Sequence, residues 1–417
     1  MNITGIIAEY NPFHNGHAYH VSCAKEQTNA DFLIVVMSGN FVQRGAPALL
    51  DKSIRANMAL LEGADLVIEL PPLWSSASAQ YFASAGVALL KQLGCVNALC
   101  YGCETPKPAL FSVIANLITE EPAAYRQLLA GFLKEGASYA SARQKSVIQL
   151  LPEQKPDVVT QILNNPNNIL ALEYTKAAAD MHASLRLCPV QRKGGGYHSK
   201  NVRDTLTSAT AIRNYLAKRQ DLSLLPIKHT VPEGTYRLLS KYQDTYPFIY
   251  PNDLSQMMHY CLIKNEPTGF CRFADCTPDL SHKICHYTQN YIDFDSFCSL
   301  LKSKDITYTR ISRILLHILL DIQTDDYAFW RSSSYVPYAR ILGFRKEATG
   351  LLTLLKQHSS IPLLTRASDA KKILTGQSMA FFQKHLFADS IYRALVIEKG
   401  GQYVPDEYRR QLVIPHG

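Results

Sequence analysis

The sequence predicts an α/β fold: a Rossmann-like parallel sheet in the first half, followed by a mostly α-helical, basic second half. Three observations carry this. Short runs rich in Ile, Val and Leu recur at 3–9, 32–37, 66–70 and 98–101, each mostly apolar, as strands covered on both faces are. Helix-period segments at 18–27, 52–62 and 79–93 lie between them, the alternation of a parallel sheet with right-handed crossovers. The charge is uneven: residues 1–200 hold 16 basic and 15 acidic side chains, whereas 302–384 hold 13 basic against 6 acidic. An excess concentrated in one stretch is what a polyanion-binding face looks like.

Beyond the fourth run, 109–151 has apolar positions at three- and four-residue spacing and reads as helical. Asn164-Asn165-Pro166-Asn167-Asn168 interrupts it and suits a new helix start, since Asn caps helices well; a helix over 169–181 and a strand over 185–190 follow. Gly194-Gly195-Gly196 reads as a loop, and 207–218 as a helix with a Ser/Thr start. A first domain over 1–219 and a second region over 220–417 are expected, the second mostly helical from about residue 255 and richer in aromatics.

The 417 residues, 47% hydrophobic, allow two or three cores. No apolar run reaches membrane-spanning length, and no basic segment or cleavage site precedes the first strand, so a cytoplasmic protein without a membrane partner is expected. Of ten cysteines, Cys100 and Cys103 form a CxxC without a companion pair, which reads as reduced, buried thiols, with a redox or metal role as the alternative.

The first strand ends in the polar knot Asn11-Pro12-Phe13-His14-Asn15-Gly16-His17. In an open α/β sheet, ligands bind beyond the carboxyl ends of the strands, and a helix N-terminus there offers free N–H groups and partial positive charge to a phosphate. Gly16 allows close backbone approach, and His14 and His17 are placed to donate to phosphoryl oxygens. When a nucleotide α-phosphate is attacked, charge grows on the departing pyrophosphate, and preorganised donors stabilise it. A metal site from His17 and His20, one turn apart, would need a carboxylate that the sequence does not place, so no metal ligands are assigned.

This His-x-Gly-His pattern resembles the HxGH signature of the nucleotidyltransferase superfamily. A second element, Ser208-Ala209-Thr210-Ala211-Ile212-Arg213, resembles the superfamily's Ser/Thr-rich motif ending in Ile-Arg. Its hydroxyls can cap a helix and meet a phosphate, and Arg213 can add a charge-assisted bond to a triphosphate. Longer stretches, AEYNPFHNGH, MSGNFVQRG, GADLVIELP, YGCE, PNNILALEY, YTRISRILLHILL and YARILGF, together look like the bacterial tRNA(Met) cytidine acetate ligase family.

The resemblance implies an enzyme that activates acetate with ATP as acetyl-adenylate. It then acetylates N4 of the wobble cytidine of elongator tRNA(Met), and Mg²⁺ is expected from ATP chemistry. It implies His14, His17 and Arg213 as the catalytic set. Implied ATP contacts fall on the first loop (Ile7, Ala8, Glu9, Tyr10, Asn11, Pro12, Phe13, His14, Asn15, Gly16, His17 and His20). They fall also on Gly102, on one of Asn167 and Asn168, on Arg192, and on Ser208 and Thr210. Implied tRNA contacts are Arg310, Arg313, Arg340, Arg345 and Lys346, with interleaved aromatics for stacking. Lys52 and Arg55 read equally as phosphate contacts or as solvated charge, and Asp65 and Glu69 as structural caps of the third strand. A small-molecule adenylyltransferase and a non-catalytic nucleotide-dependent RNA adaptor are the rival readings. The first leaves the basic second half without a role, and the second does not need both histidines with Arg213.

Overall fold

The computed structural model describes residues 1–193, 204–218 and 223–415. Nine strands are found among them: β1 (Ile3–Ala8), β2 (Phe32–Ser38), β3 (Phe41–Val42), β4 (Ala46–Pro47), β5 (Leu66–Leu70), β6 (Ala98–Cys103), β7 (Arg186–Gln191), β8 (Ala339–Phe344) and β9 (Leu363–Leu364). Seven form one sheet in the order β7-β6-β1-β2-β5-β8-β9, while β3 and β4 make a separate small hairpin. β7, β6, β1, β2 and β5 are mutually parallel, as the apolar runs predict. Their side chains are buried on both faces: Ile34, Val35, Val36 and Met37 of β2 are all 0% exposed.

The chain lays down β1, β2 and β5 in one direction, then returns across β1 to place β6 on its other side. The strand order therefore reverses at β1 and β6, and a crevice opens beyond their carboxyl ends. One face of the sheet is covered by the Ala79–Gln92 and Pro166–Asp180 helices, the other by the Asn15–Thr28 and Lys52–Leu61 helices.

The expectation of a mostly helical second half included no strand there, yet YARILGF forms β8. It pairs antiparallel with β5, matching Ile68 to Ile341 and Glu69 to Arg340. The run Ala339–Leu342 is buried on both faces, so its pattern is that of an interior strand. One consequence is a correction. Arg340, expected on a nucleic-acid face, is 7% exposed, and its guanidinium lies 3.1 Å from Asp389 and 3.5 Å from Glu69, with Glu407 closer still. It balances interior carboxylates and is withheld from any phosphate backbone.

Lys52 and Arg55 match neither sequence reading, because both are fully buried. Lys52 Nζ is 2.9 Å from Glu69, 2.5 Å from Asp389 and 3.3 Å from Glu407. Arg55 donates to the carbonyls of Leu50, Glu9, Ser38 and Gly39, tying the ends of β1 and β2 to the next helix. Asp65 accepts the Leu33 N–H at 2.8 Å at the start of β5, a structural role, whereas Glu69 sits in the interior ionic cluster. Glu69, His385 and Asp389 place potential metal-ligating atoms within 4.8 Å of one another, but the Lys52 ammonium and Arg340 guanidinium already neutralise that set. Cys100 and Cys103 are free, buried thiols on β6, and burial pushes Cys103 up to about 12. No helix of the described residues is long and apolar enough to cross a membrane.

Candidate active site

A cavity of about 490 Å³ opens at the β1/β6 switch point. Its floor is the end of β1 (Ile7 to Tyr10) and Tyr101-Gly102 of β6. One wall carries His14, Gly16, His17 and His20; beside it stand Arg192 and the start of the Ala209–Ala217 helix with Ser208, Thr210 and Arg213. The two sequence motifs meet directly: Arg213 donates from Nη1 to the Asn11 carbonyl at 2.5 Å and from Nη2 to Thr210 Oγ1 at 3.2 Å.

The histidines are held by their own backbone. His14 is the N-cap of the Asn15–Thr28 helix, and its Nδ1 accepts the Gly16 N–H at 3.0 Å. His17 Nδ1 accepts the His14 N–H at 3.3 Å, and the two rings stack with centroids 3.7 Å apart. With Nδ1 an acceptor in both rings, the neutral tautomer carries its proton on Nε2, which leaves each ring an N–H to give to a ligand. Gly16 serves this geometry sterically. A Cβ there would lie 2.8 Å from His14 Cε1, so any side chain would displace the ring.

Burial, then the nearby Arg192 and Arg213, lower His14 to about 3; burial and Arg192 lower His20 to about 4. Burial, followed by His14 and Arg192, holds His17 well below its ordinary value. All three are neutral at physiological pH. His20 Nε2 is buried with no hydrogen-bond partner among the described residues, making it a third nitrogen available to a ligand. Because the folded state resists protonation, the unfolded chain binds more protons between about pH 6.5 and about pH 3, and stability falls with pH there by up to ~1.4 kcal/mol per unit per group. Denaturant midpoints of the ligand-free protein will therefore fall from pH 7.5 to pH 5, and His20→Gln will flatten the slope. An identical slope in that variant would contradict the burial argument.

The remaining expected contacts separate into lining and supporting residues. Asn167 lines the cavity and donates from Nδ2 to Glu104 at 2.6 Å. Asn168 is fully buried behind it: its Oδ1 accepts the N–H groups of Glu104 and Thr105 at 2.9 and 3.0 Å, which shapes the turn after β6. The helix begins at Pro166, earlier than the sequence suggests, and no asparagine side chain caps it. Asn11, Pro12, Phe13 and Asn15 do not line the cavity. Asn11 Oδ1 accepts the Leu49 N–H at 2.8 Å, Phe13 packs on Tyr10 in the core, and Asn15 Nδ2 holds the carbonyls of Thr205 and His229. Pro12 is buried, following a cis peptide bond. The glycines 194–196 lie outside the described residues.

The basic residues of the second half are not gathered at the cavity. Arg310 and Arg313, near its mouth, share Asp275 at 3.2 and 3.8 Å. Arg345 follows β8, which runs antiparallel to its neighbour, so it emerges at the opposite end of the sheet beside Asp65, with the exposed Lys346 after it. Sequence reasoning missed the apolar end of the cavity (Ala79, Phe82, Leu170 and Tyr174) and also Glu104 and Thr309. Glu104 stood within the YGCE stretch and Thr309 within YTRISRILLHILL beside Arg310, but neither stretch showed that its residue faces this cavity, nearly 300 residues from the histidine knot in the case of Thr309.

The chain matches the HIGH Nucleotidyl Transferase family over residues 1–404, the class that the switch-point cavity and its paired histidines define. Within that class it belongs to the tRNA(Met) cytidine acetate ligase family. The Clostridium tetani tRNA(Met) cytidine acetate ligase is 38% identical over 372 residues, 88% of this chain and 90% of that protein. Crystal structures of Thermotoga maritima TmcAL are similar over nearly their whole length. The form bound with alpha-thio ATP has a TM-score of 0.87 at 26% identity over 95% of both chains, and the apo form a TM-score of 0.91 at 26% identity over 99% of both.

Proposed function

We propose that this chain uses ATP to activate acetate and acetylates N4 of the wobble cytidine of elongator tRNA(Met). In the first step an acetate oxygen attacks the α-phosphorus and pyrophosphate leaves, giving acetyl-adenylate. In the second, the cytidine N4 attacks the acetyl carbonyl, AMP leaves and N4 loses a proton. The mixed anhydride is already activated, so the second step needs a base held close and no protein nucleophile.

The observation that carries this reading is the pair of Nε2–H donors fixed by backbone hydrogen bonds in a cavity that also holds Arg192 and Arg213. His14, His17 and Arg213 stabilise the pyrophosphate leaving group; His20, Arg192, Ser208 and Thr210 complete the triphosphate surroundings. Ser208 Oγ already caps its helix by accepting the Ala211 N–H at 3.2 Å, so its bond to a phosphate would be made as a hydroxyl donor. Ile7, Ala8, Glu9, Tyr10, Gly102 and Asn167 form the surface against which the nucleotide lies.

Among the described residues, the carboxylates that line the cavity are Glu9 and Glu104, and both are engaged in hydrogen bonds. Glu9 accepts the Gln43 N–H at 2.9 Å, and Glu104 is held by Asn167 and Asn168. Mg²⁺ would accompany ATP through the phosphate oxygens, neutralising their charge. We read 1–219 as the catalytic unit and 220–417 as the tRNA-binding region, although β8 and β9 complete the catalytic sheet. Arg310, about one-third exposed, is best placed to meet the anticodon-loop backbone, with the more buried Arg313 beside it supporting through their shared Asp275, and with Arg345 and Lys346 serving a more distant part of the tRNA.

The test supplies purified protein with ATP, radiolabelled acetate and bulk bacterial tRNA. ATP-dependent label recovered as N4-acetylcytidine is the expected result. Acetate-dependent pyrophosphate release without tRNA labelling would retain the adenylate step and reject the acceptor.

A further inference from the structure

The cavity is not built by the first half alone. Thr309, in the first turn of the Tyr308–Leu319 helix, lines it, and the β3–β4 hairpin contributes Gln43 and Arg44. These two walls are fixed to each other and to the nucleotide floor. The Gln43 N–H donates to Glu9 Oε1 at 2.9 Å, and Ser312 Oγ donates to the Gly45 carbonyl at 2.8 Å. Gly45 has φ +75, and a Cβ there would run into the backbone of Arg313, so the hairpin turn sits directly on the helix. Among the described residues, neither the Gln43 side-chain amide nor the Thr309 hydroxyl has a partner, and both are partly exposed.

The chemistry of the acceptor says what such groups can do. If N4 of a cytosine is the nucleophile, N4 must stay free, and recognition falls on N3 and O2. Both are acceptors, so the protein must supply donors to them beside the acetyl carbonyl. A Gln amide and a Thr hydroxyl are such donors. The His14, His17, Arg192 and Arg213 end of the cavity is committed to phosphate. Arg310, one residue beyond Thr309, is about one-third exposed and paired with Asp275, a cation beside this wall for the backbone of an unstacked nucleotide.

We propose that Gln43 and Thr309 hold the acceptor cytosine, so that the active site is completed for acetyl transfer, but not for adenylation, by a helix from the second half of the chain. This rests on the reading of tRNA as the acceptor. The experiment measures both half-reactions on the full chain: acetate-dependent ATP–pyrophosphate exchange, and transfer of labelled acetate to tRNA. Gln43→Ala and Thr309→Val each remove one donor, and the ratio of transfer to exchange is expected to fall roughly tenfold for each. Thr309→Trp, which fills the mouth, should lower that ratio by roughly a hundredfold. Exchange in every variant also reports that the protein has folded. Equal losses in both half-reactions, or no loss in either, overturn the assignment while leaving the acetyl-transfer reading intact. A wild-type chain that exchanges pyrophosphate but never labels tRNA overturns that reading, and this assignment with it.

Discussion

Alanine at His14 or at His17 is expected to lower acetate-dependent pyrophosphate exchange by roughly 10²–10³-fold, with a much smaller change in the KM for ATP. The size follows from preorganisation. Each ring has Nδ1 tied to a backbone N–H, so its remaining N–H does not reorient as charge develops on the leaving group. Each ring is neutral because protonation is suppressed, His14 down to about 3, and a neutral donor binds the ground-state triphosphate less tightly than a cation would. The benefit is therefore concentrated where charge grows. Because the rings stack at 3.7 Å, removing either one also takes away a support of the other, and the double variant should lose less than the product of the single losses. His14→Ala also removes a helix cap worth about 1 kcal/mol. His14→Asn can retain a cap while its shorter side chain cannot reach the phosphate, so it separates the two effects: near-normal stability with the full loss of rate. Exchange reduced less than about threefold in both single variants would move pyrophosphate stabilisation away from the histidines and toward Arg192 and Arg213.

What could be read from the sequence, and what could not, divides along the range of the interactions. The apolar runs of β1, β2, β5 and β6 fixed the parallel sheet, since a strand covered on both faces shows it within its own residues. The histidine knot was legible because its geometry is local: the cap, the Gly16 steric gap and the ring stack all lie within one turn. SATAIR could be matched to a pattern, but its meeting with the knot depends on Arg213 reaching the Asn11 carbonyl, which only the fold displays. Asn167 and Asn168 could not be told apart in sequence. One faces the cavity and the other is buried under the Glu104 turn, a difference set by where the helix begins. The misread charges share one cause. Lys52 and Arg340 look like surface cations because their carboxylate partners Asp389 and Glu407 are distant in sequence, and no local pattern betrays a buried ion pair that closes over such a span. Thr309 escaped notice for a related reason: YTRISRILLHILL matched a family pattern, but which of its residues faces a cavity built by the first half is set only by the fold.

Lys52→Met is expected to cost about 3–5 kcal/mol of stability, a large part of the total for an ordinary folded protein. The Lys52 ammonium, about 1% exposed, touches Glu69 at 2.9 Å, Asp389 at 2.5 Å and Glu407 at 3.3 Å. Burial opposes ionisation of Glu69, but His385, Lys52 and Arg340 outweigh it and hold its carboxyl well below the usual range. At Asp389, burial and then the neighbouring Glu407 carboxylate raise the proton affinity, so that group is the first to take up a proton when a cation is removed. Methionine fills the volume but leaves the carboxylates facing one another without their central cation. The loss should therefore ease as pH falls and Asp389 protonates, which a simple packing defect would not do. The companion variant Lys52→Met with Asp389→Leu removes charge from both sides, and replacing a buried pair by apolar groups of similar size is often neutral. Most of the lost stability should return in it. Denaturant midpoints for the two variants at pH 7.5 and pH 5.5 decide the matter. If the double variant is as unstable as the single one, Lys52 acts through its other contacts, with Glu69 and Glu407, and Asp389 is incidental. If it recovers, the cluster joining β5, β8 and the Gly376–Gly400 helix is a balanced charge set, and it is this set that seats the second half of the chain against the catalytic sheet.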